Sequence, residues 1–340
     1  MKGKLLVIFD KDSLYAARLQ QFLCKREGNH FKIISFTNED DLRKAFEKNG
    51  NVRPEILLVA ESVFHKELSE IGAKHLFILN ETGLKKYPEY ANLNKYQSAS
   101  TLFQQVLLEY ADKEKEVIPR FYGNKRAKII GVYTPITRCL QTGFSLALST
   151  ILGKKGRTLY INFEQYSGFS KLFQKGYLKD LSDLVYFFTY SRDKFLYWLE
   201  GVIEHFGQID YIPPVLTASS LLEVSADVWS DMLEFLSFEA GYDYIVLDLS
   251  ESVRGIFQIL NMCHRVYTIT REDVVSTAKL IQFKEVLEGS QYVSIKERIR
   301  YLKFPTFASK DLVFEDMVYG DLYAYVEELL GEDLNEQDSI

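Results

Sequence analysis

The sequence predicts an α/β protein of two domains, each a mostly parallel sheet wrapped by helices. Short continuous apolar runs such as Leu5-Leu6-Val7-Ile8-Phe9 alternate with segments whose apolar residues recur at helical spacing. The alternation breaks between Ala111 and Arg126, in the charge run Asp112-Lys113-Glu114-Lys115-Glu116 followed by Pro119, Gly123 and Asn124, and then resumes. The 340 residues, 47% hydrophobic and 26% charged, suit two ordinary globular domains. The expected division is a first domain over 1–111, a connector over 112–126 whose charged part reads alternatively as an extension of the preceding helix, a second domain over 127–331, and a disordered acidic tail over 332–340.

The first strand is Leu5 to Phe9, ending at Asp10-Lys11-Asp12. Tyr15, Leu19, Phe22 and Leu23 then form one stripe of an amphipathic helix. Phe31 to Phe36 is a second strand. Thr37-Asn38-Glu39-Asp40 supplies caps and acid for a helix with Leu42, Ala45 and Phe46 on its apolar face. Strands follow at Ile56–Val59 and Leu76–Leu79, and a last helix carries Phe103, Val106, Leu107 and Tyr110.

This order and length resemble a response-regulator receiver domain, with the CheY-like (flavodoxin-like) fold. The resemblance implies an acidic cluster after the first strand to hold a divalent metal, a phospho-acceptor aspartate after the third, and a lysine near the domain's end. Asp10 and Asp12 match the cluster in part, with Lys11 between them; they read equally as acids solvating a strand end. Ala60 stands at the acceptor position, with Glu61 one residue out of register, and Lys95 fits the lysine slot. A methyl group carries no acyl phosphate. The first domain therefore reads as a pseudo-receiver.

In the second half, strands are expected at Ile129–Tyr133, Thr158–Phe163, Tyr242–Asp248, Val266–Ile269 and Ile299–Phe304. A helix from Phe144 to Leu152 follows the first of them. Strand, loop, helix, strand-acid, strand-acid is the plan of a P-loop NTPase. Such a loop needs glycines, so that backbone N–H groups can face phosphate, a lysine for the phosphates, and a hydroxyl for magnesium. Here the glycine positions fall on Thr137, Arg138 and Leu140, the lysine on Gln141, and the hydroxyl on Thr142. No cofactor is expected; Thr142 and the helix N-terminus leave room only for weak ATP/Mg binding.

The segments Tyr133–Thr142 and Thr158–Gln165 resemble the MinD/ParA superfamily with its deviant Walker A loop. A receiver-like domain in front of such a domain resembles the TadZ/CpaE proteins, which localise the assembly of tight-adherence (Flp) pili. The resemblance spans roughly residues 4 to 330. It implies a second, cross-dimer lysine, whose place is taken by Ile136. The acids after the second strand correspond to Asn162 and Glu164, and the Walker B aspartate to Asp248, which reads alternatively as a cap on the following helix.

Both lysines and the acceptor aspartate being absent, the function expected is a non-catalytic localisation or scaffold protein acting through pilus or secretion assembly partners. The rival is a slow ATP-binding switch in spatial organisation or partitioning, using Thr142, Glu164 and Asp248. The net charge of −6 gives no footprint for nucleic acid. No apolar run approaches bilayer-spanning length, and the three cysteines (Cys24, Cys139, Cys263) stand in no ligand spacing, which implies a cytoplasmic protein, polar or membrane-peripheral at most through partners. The five histidines give no metal site. A nucleotide-free homodimer is expected, held by apolar residues of the loop (Ile136, Cys139, Leu140) or by the aromatic helices from Leu184 to Leu199. Apolar residues at helical spacing in those helices read first as core.

Overall fold

The computed structural model describes residues 4–25, 31–47, 53–113, 126–137, 139–305 and 319–337. It divides into two compact units, Met1–Val117 and Ile118–Ile340.

The first unit runs β1 (Lys4–Phe9), α1 (Ser13–Lys25), β2 (Phe31–Phe36), α2 (Glu39–Glu47), β3 (Ile56–Ala60), β4 (His75–Asn80), β5 (Ala91–Asn94) and α3 (Ala99–Lys113). All its strand pairs are parallel, in the doubly wound order 2-1-3-4-5. The interior strands carry continuous apolar runs because both of their faces are covered. Leu6, Val7, Ile8, Ile56, Leu57, Leu58 and Val59 are all excluded from water. The connection from β3 to β4 is built of two 3-10 turns, Glu61–Val63 and Lys66–Ile71, the second ending on Gly72 in the left-handed conformation that glycine adopts without strain. Phe22 departs from the expected stripe: α1 turns Ala16, Leu19 and Leu23 inward and leaves Phe22 exposed. The stripe on α3 is buried at all four expected positions.

The second unit runs β6 (Lys128–Val132), α4 (Gln141–Gly153), β7 (Thr158–Asn162), α5 (Phe169–Leu172), α6 (Leu181–Tyr190), α7 (Phe195–Val202), β8 (Glu204–Phe206), β9 (Ile209–Ile212), α8 (Ala218–Leu222), α9 (Ala226–Glu239), β10 (Tyr244–Asp248), α10 (Ile256–Met262), β11 (Arg265–Thr270), α11 (Val274–Glu288), β12 (Ile299–Lys303) and α12 (Asp321–Gln337). Its seven strands lie in the order 12-11-6-10-7-9-8, with only β8 antiparallel to its neighbour. The register sets Asp248 beside Val132 on one side and Asn162 on the other. The end of β10 thus meets both the loop after β6 and the end of β7.

Helix α4 is buried nearly all round, and its apolar side chains share one core with Leu322, Val326, Leu329 and Leu330 of α12. Three of its polar residues turn back on their own helix: Ser145, Ser149 and Thr150 each donate to the carbonyl four residues earlier. Close packing explains Gly131, where a Cβ would come within 2.9 Å of the Cys263 sulfur.

Two sequence expectations are corrected here. Residues 332–337 of the acidic tail continue α12, whose earlier turns pack against α4, and residues 338–340 lie outside the described residues. Asp112 and Lys113, assigned to the connector, complete α3; residues 114–125 lie outside the described residues. The aromatic helices are core, the first reading of their helical spacing: every residue of α7 is buried, and among the aromatic side chains of α6 only Tyr186 and Tyr190 stand well out in solvent. No described helix is long and apolar enough to cross a membrane.

Candidate functional site

At the carboxyl ends of β6, β7 and β10, the loop Tyr133–Leu140 leads into α4. Its backbone keeps a glycine-like feature without the glycine: Leu140, the residue before the helix, has φ 60° and ψ 24°. For a side chain with a Cβ this left-handed conformation costs about 1 kcal/mol. The loop folds inward. Thr134 Oγ1 donates to the Ile269 carbonyl at 2.7 Å and accepts from Ile136 N at 3.2 Å, while Cys139 Sγ lies 3.5 Å from the Ile136 carbonyl. Ile136 and Cys139 are buried and Leu140 half-buried. This corrects the expectation that the loop offers an apolar contact surface, since two of its three apolar side chains are spent on their own domain.

Gln141 has turned away from the loop's mouth. Its Nε2 donates to Asp248 Oδ1 at 2.7 Å and to the Leu249 carbonyl at 2.8 Å, using both amide hydrogens. Asp248 Oδ2 accepts from Tyr160 Oη at 2.9 Å and Asn162 Nδ2 at 3.0 Å. Asp248 is wholly buried, and burial raises its pKa, opposed by hydrogen bonds from Gln141 and Tyr160. It caps no helix: α10 begins only at Ile256, behind Gly255. Thr142 is half-buried and Thr137 exposed, while Arg138 lies outside the described residues.

Glu164, half-buried, has its carboxyl pushed up to about 7 by burial and by the charge of Asp248. Sequence reasoning missed Tyr160, whose hydroxyl is the second neutral donor on Asp248. A tyrosine in an otherwise apolar interior strand was the available signal, because a buried phenol needs a partner.

The first unit gathers a second cluster at the carboxyl edge of its sheet. Lys95, buried, sets its ammonium 2.7 Å from Asp10 Oδ2 and 2.7 Å from Glu81 Oε1, with the Tyr15 ring 4.8 Å below. Its pKa is pushed up to about 12: burial opposes the charge, and the two carboxylates outweigh it. Asp10 is buried rather than solvating the strand end, and its Oδ1 accepts from Asp12 N. Asp12 is exposed and caps α1 through Leu14 N and Tyr15 N.

Ala60 ends β3 fully buried, and the next residue, Glu61, turns its carboxylate onto the loop after β4. Glu61 accepts from Glu81 N at 2.8 Å, Thr82 N at 3.1 Å and Thr82 Oγ1 at 3.0 Å, with Lys86 at 3.1 Å. Burial pushes its pKa up, but these donors dominate and hold it at about 2. Glu81, Thr82 and Lys86 were not singled out from the sequence. Among the described residues no group of three His, Cys, Asp or Glu side chains could hold a metal ion.

No protein-family model matches the chain, and no curated protein matches it. Solved structures do. A plasmid partition protein from Borrelia burgdorferi is 16% identical, with 62% of this chain and 100% of that one covered, at a TM-score of 0.45. A ParA family ATPase from Chlorobium tepidum is 14% identical over 57% of this chain and 80% of that one, at 0.44. The MinC:MinD cell division complex of Aquifex aeolicus gives 14% identity over 52% of this chain and 68% of that one, at 0.39.

Proposed function

We propose that this chain is a non-catalytic localisation or scaffold protein, a pseudo-receiver joined to a MinD/ParA-like domain, that acts through protein contacts. The observation carrying this reading is the state of Asp248. A carboxylate that serves magnesium must keep an oxygen for the metal, whereas here neutral donors from Gln141, Tyr160 and Asn162 satisfy it from within the chain. The residues present do not fit a magnesium–triphosphate group. Gln141 has no charge and no spare hydrogen, and Leu140 puts a side chain where phosphate would need bare backbone.

The first unit supports the same reading. Its 2-1-3-4-5 strand order suits a receiver-like domain, while Ala60 offers nothing to phosphorylate and Lys95 is committed to Asp10 and Glu81. By its resemblance to TadZ/CpaE proteins, the task proposed is the placing of a pilus or secretion assembly from the cytoplasm.

Calorimetry with ATP and magnesium tests this. The expected dissociation constant is millimolar or weaker, about 4 kcal/mol of binding at most, with no turnover above background. A micromolar constant that Thr142→Ala abolishes would overturn the reading and instate the slow nucleotide switch.

A further inference from the structure

A separate cleft of about 440 Å³ opens at the carboxyl ends of β7 and β9. Tyr166 and Phe169 line it from the segment after β7, Tyr177, Leu178 and Asp180 from the segment before α6, and Leu216 from the segment after β9. Its volume falls within the range of built ligand sites, and the carboxyl ends of parallel strands are where open α/β sheets place them. Around its mouth three large side chains stand in water: Tyr166 is 86% exposed, Leu216 85% and Leu178 51%. Scattered exposed apolar residues need no explanation, but three ringing one cleft mark a contact site.

The charges in the cleft decide what it takes. Lys179 is matched, its Nζ lying 2.9 Å from Asp183 Oδ1. Asp183 Oδ2 accepts from Asp180 N at 3.0 Å. Asp180 uses only Oδ1, which accepts from Ser182 N at 2.8 Å, Ser182 Oγ at 2.5 Å and Asp183 N at 3.4 Å, capping α6. Among the described residues no hydrogen-bond or ion-pair partner is seen on Asp180 Oδ2. The cleft therefore combines aromatic walls, apolar edges and one carboxylate oxygen to spare, in a chain of net charge −6. That is the chemistry that holds a cation on an alkyl stem.

We propose that this cleft receives an arginine or lysine side chain from an apolar peptide segment of a partner protein. The stem lies along Leu178 and Leu216, the cation sits among the aromatic rings, and Asp180 Oδ2 accepts from it. A peptide is favoured over a free amine because the exposed rim from Tyr166 to Leu216 gives apolar residues on either side of the cation a surface to cover. The proposal deepens the protein-contact reading but involves no residue of the loop before α4, so the ATP experiment and the one below fail independently.

Fluorescein-labelled Gly-Leu-Arg-Leu-Gly-amide, titrated into the full chain by anisotropy, is the test. Counterparts carry norleucine or glutamate in place of the arginine. The arginine peptide binds at least about fivefold more tightly than the norleucine peptide, and the glutamate peptide more weakly still. Asp180→Asn keeps the capping oxygen, because asparagine caps as well as aspartate. It removes the arginine preference without moving the melting temperature. Leu216→Ser weakens the arginine and norleucine peptides alike. Equal binding of those two peptides, or no binding of any, overturns the proposal, and that comparison needs no variant. An arginine preference that survives Asp180→Asn overturns the site assignment.

Discussion

Gln141 shows how one side chain can close a site from inside. A lysine there would present a charge to the loop's mouth; the shorter, neutral amide folds back and divides its hydrogens between Asp248 and Leu249. Its neighbour across the site, Glu164, is left with a carboxyl pushed up to about 7 by burial and by Asp248. A folded-state pKa above the unfolded 4.5 means that the native chain holds the proton more tightly between those values. There is no penalty below pH 4.5; it grows as pH rises and is complete above about 7. Glu164→Gln should therefore leave stability unchanged at pH 4 and raise it at pH 8. The gain is about 1–2 kcal/mol, the full shift being discounted for the group's partial exposure. Urea unfolding at the two pH values measures it; an equal effect at both would show that charge is not the cause.

At the scale of elements, legibility followed burial. Strands excluded from water on both faces wrote themselves as apolar runs, and β1 and β3 were located within a residue or so. The strands that escaped reading are β5, β8 and β9, of four, three and four residues. In β5 only Leu93 is buried, too little to show a period. The positions of Asp248, Gln141 and Thr142 in the loop plan were legible because they follow from spacing along one chain. The partners Tyr160, Glu81 and Thr82 were not, because they come from strand register across a sheet. Glu61 illustrates the gap: in sequence it is an acid one residue late, and in space it pins the loop after β4. Its pKa of about 2 lies below the unfolded 4.5, so its stabilisation is complete above pH 4.5 and fades as pH falls toward 2. Glu61→Gln should lower stability at pH 7 by about 2–3 kcal/mol, because an amide cannot accept from all these donors at once. The loss should shrink on acidification. A pH-independent deficit in circular-dichroism melts would assign Glu61 a packing role instead.

For the whole molecule, each unit has its own sheet, and its own buried cluster: Val7, Leu57, Val59 and Ile78 in the first, Phe144, Tyr160, Val246 and Tyr267 in the second. A sheet covered on both faces by its own helices buries enough apolar surface to fold alone at this size. The fragment 1–117 should therefore give one cooperative thermal transition, with the far-ultraviolet spectrum of a folded α/β protein. Two substitutions identify the transitions in the full chain. Glu61→Gln should lower that of the first unit and leave the second in place. Asp248→Asn, which turns an acceptor of several donors into a group carrying donors of its own, should lower the second alone. Should the fragment 1–117 melt without cooperativity, or either substitution move both transitions equally, the two units are one folding body.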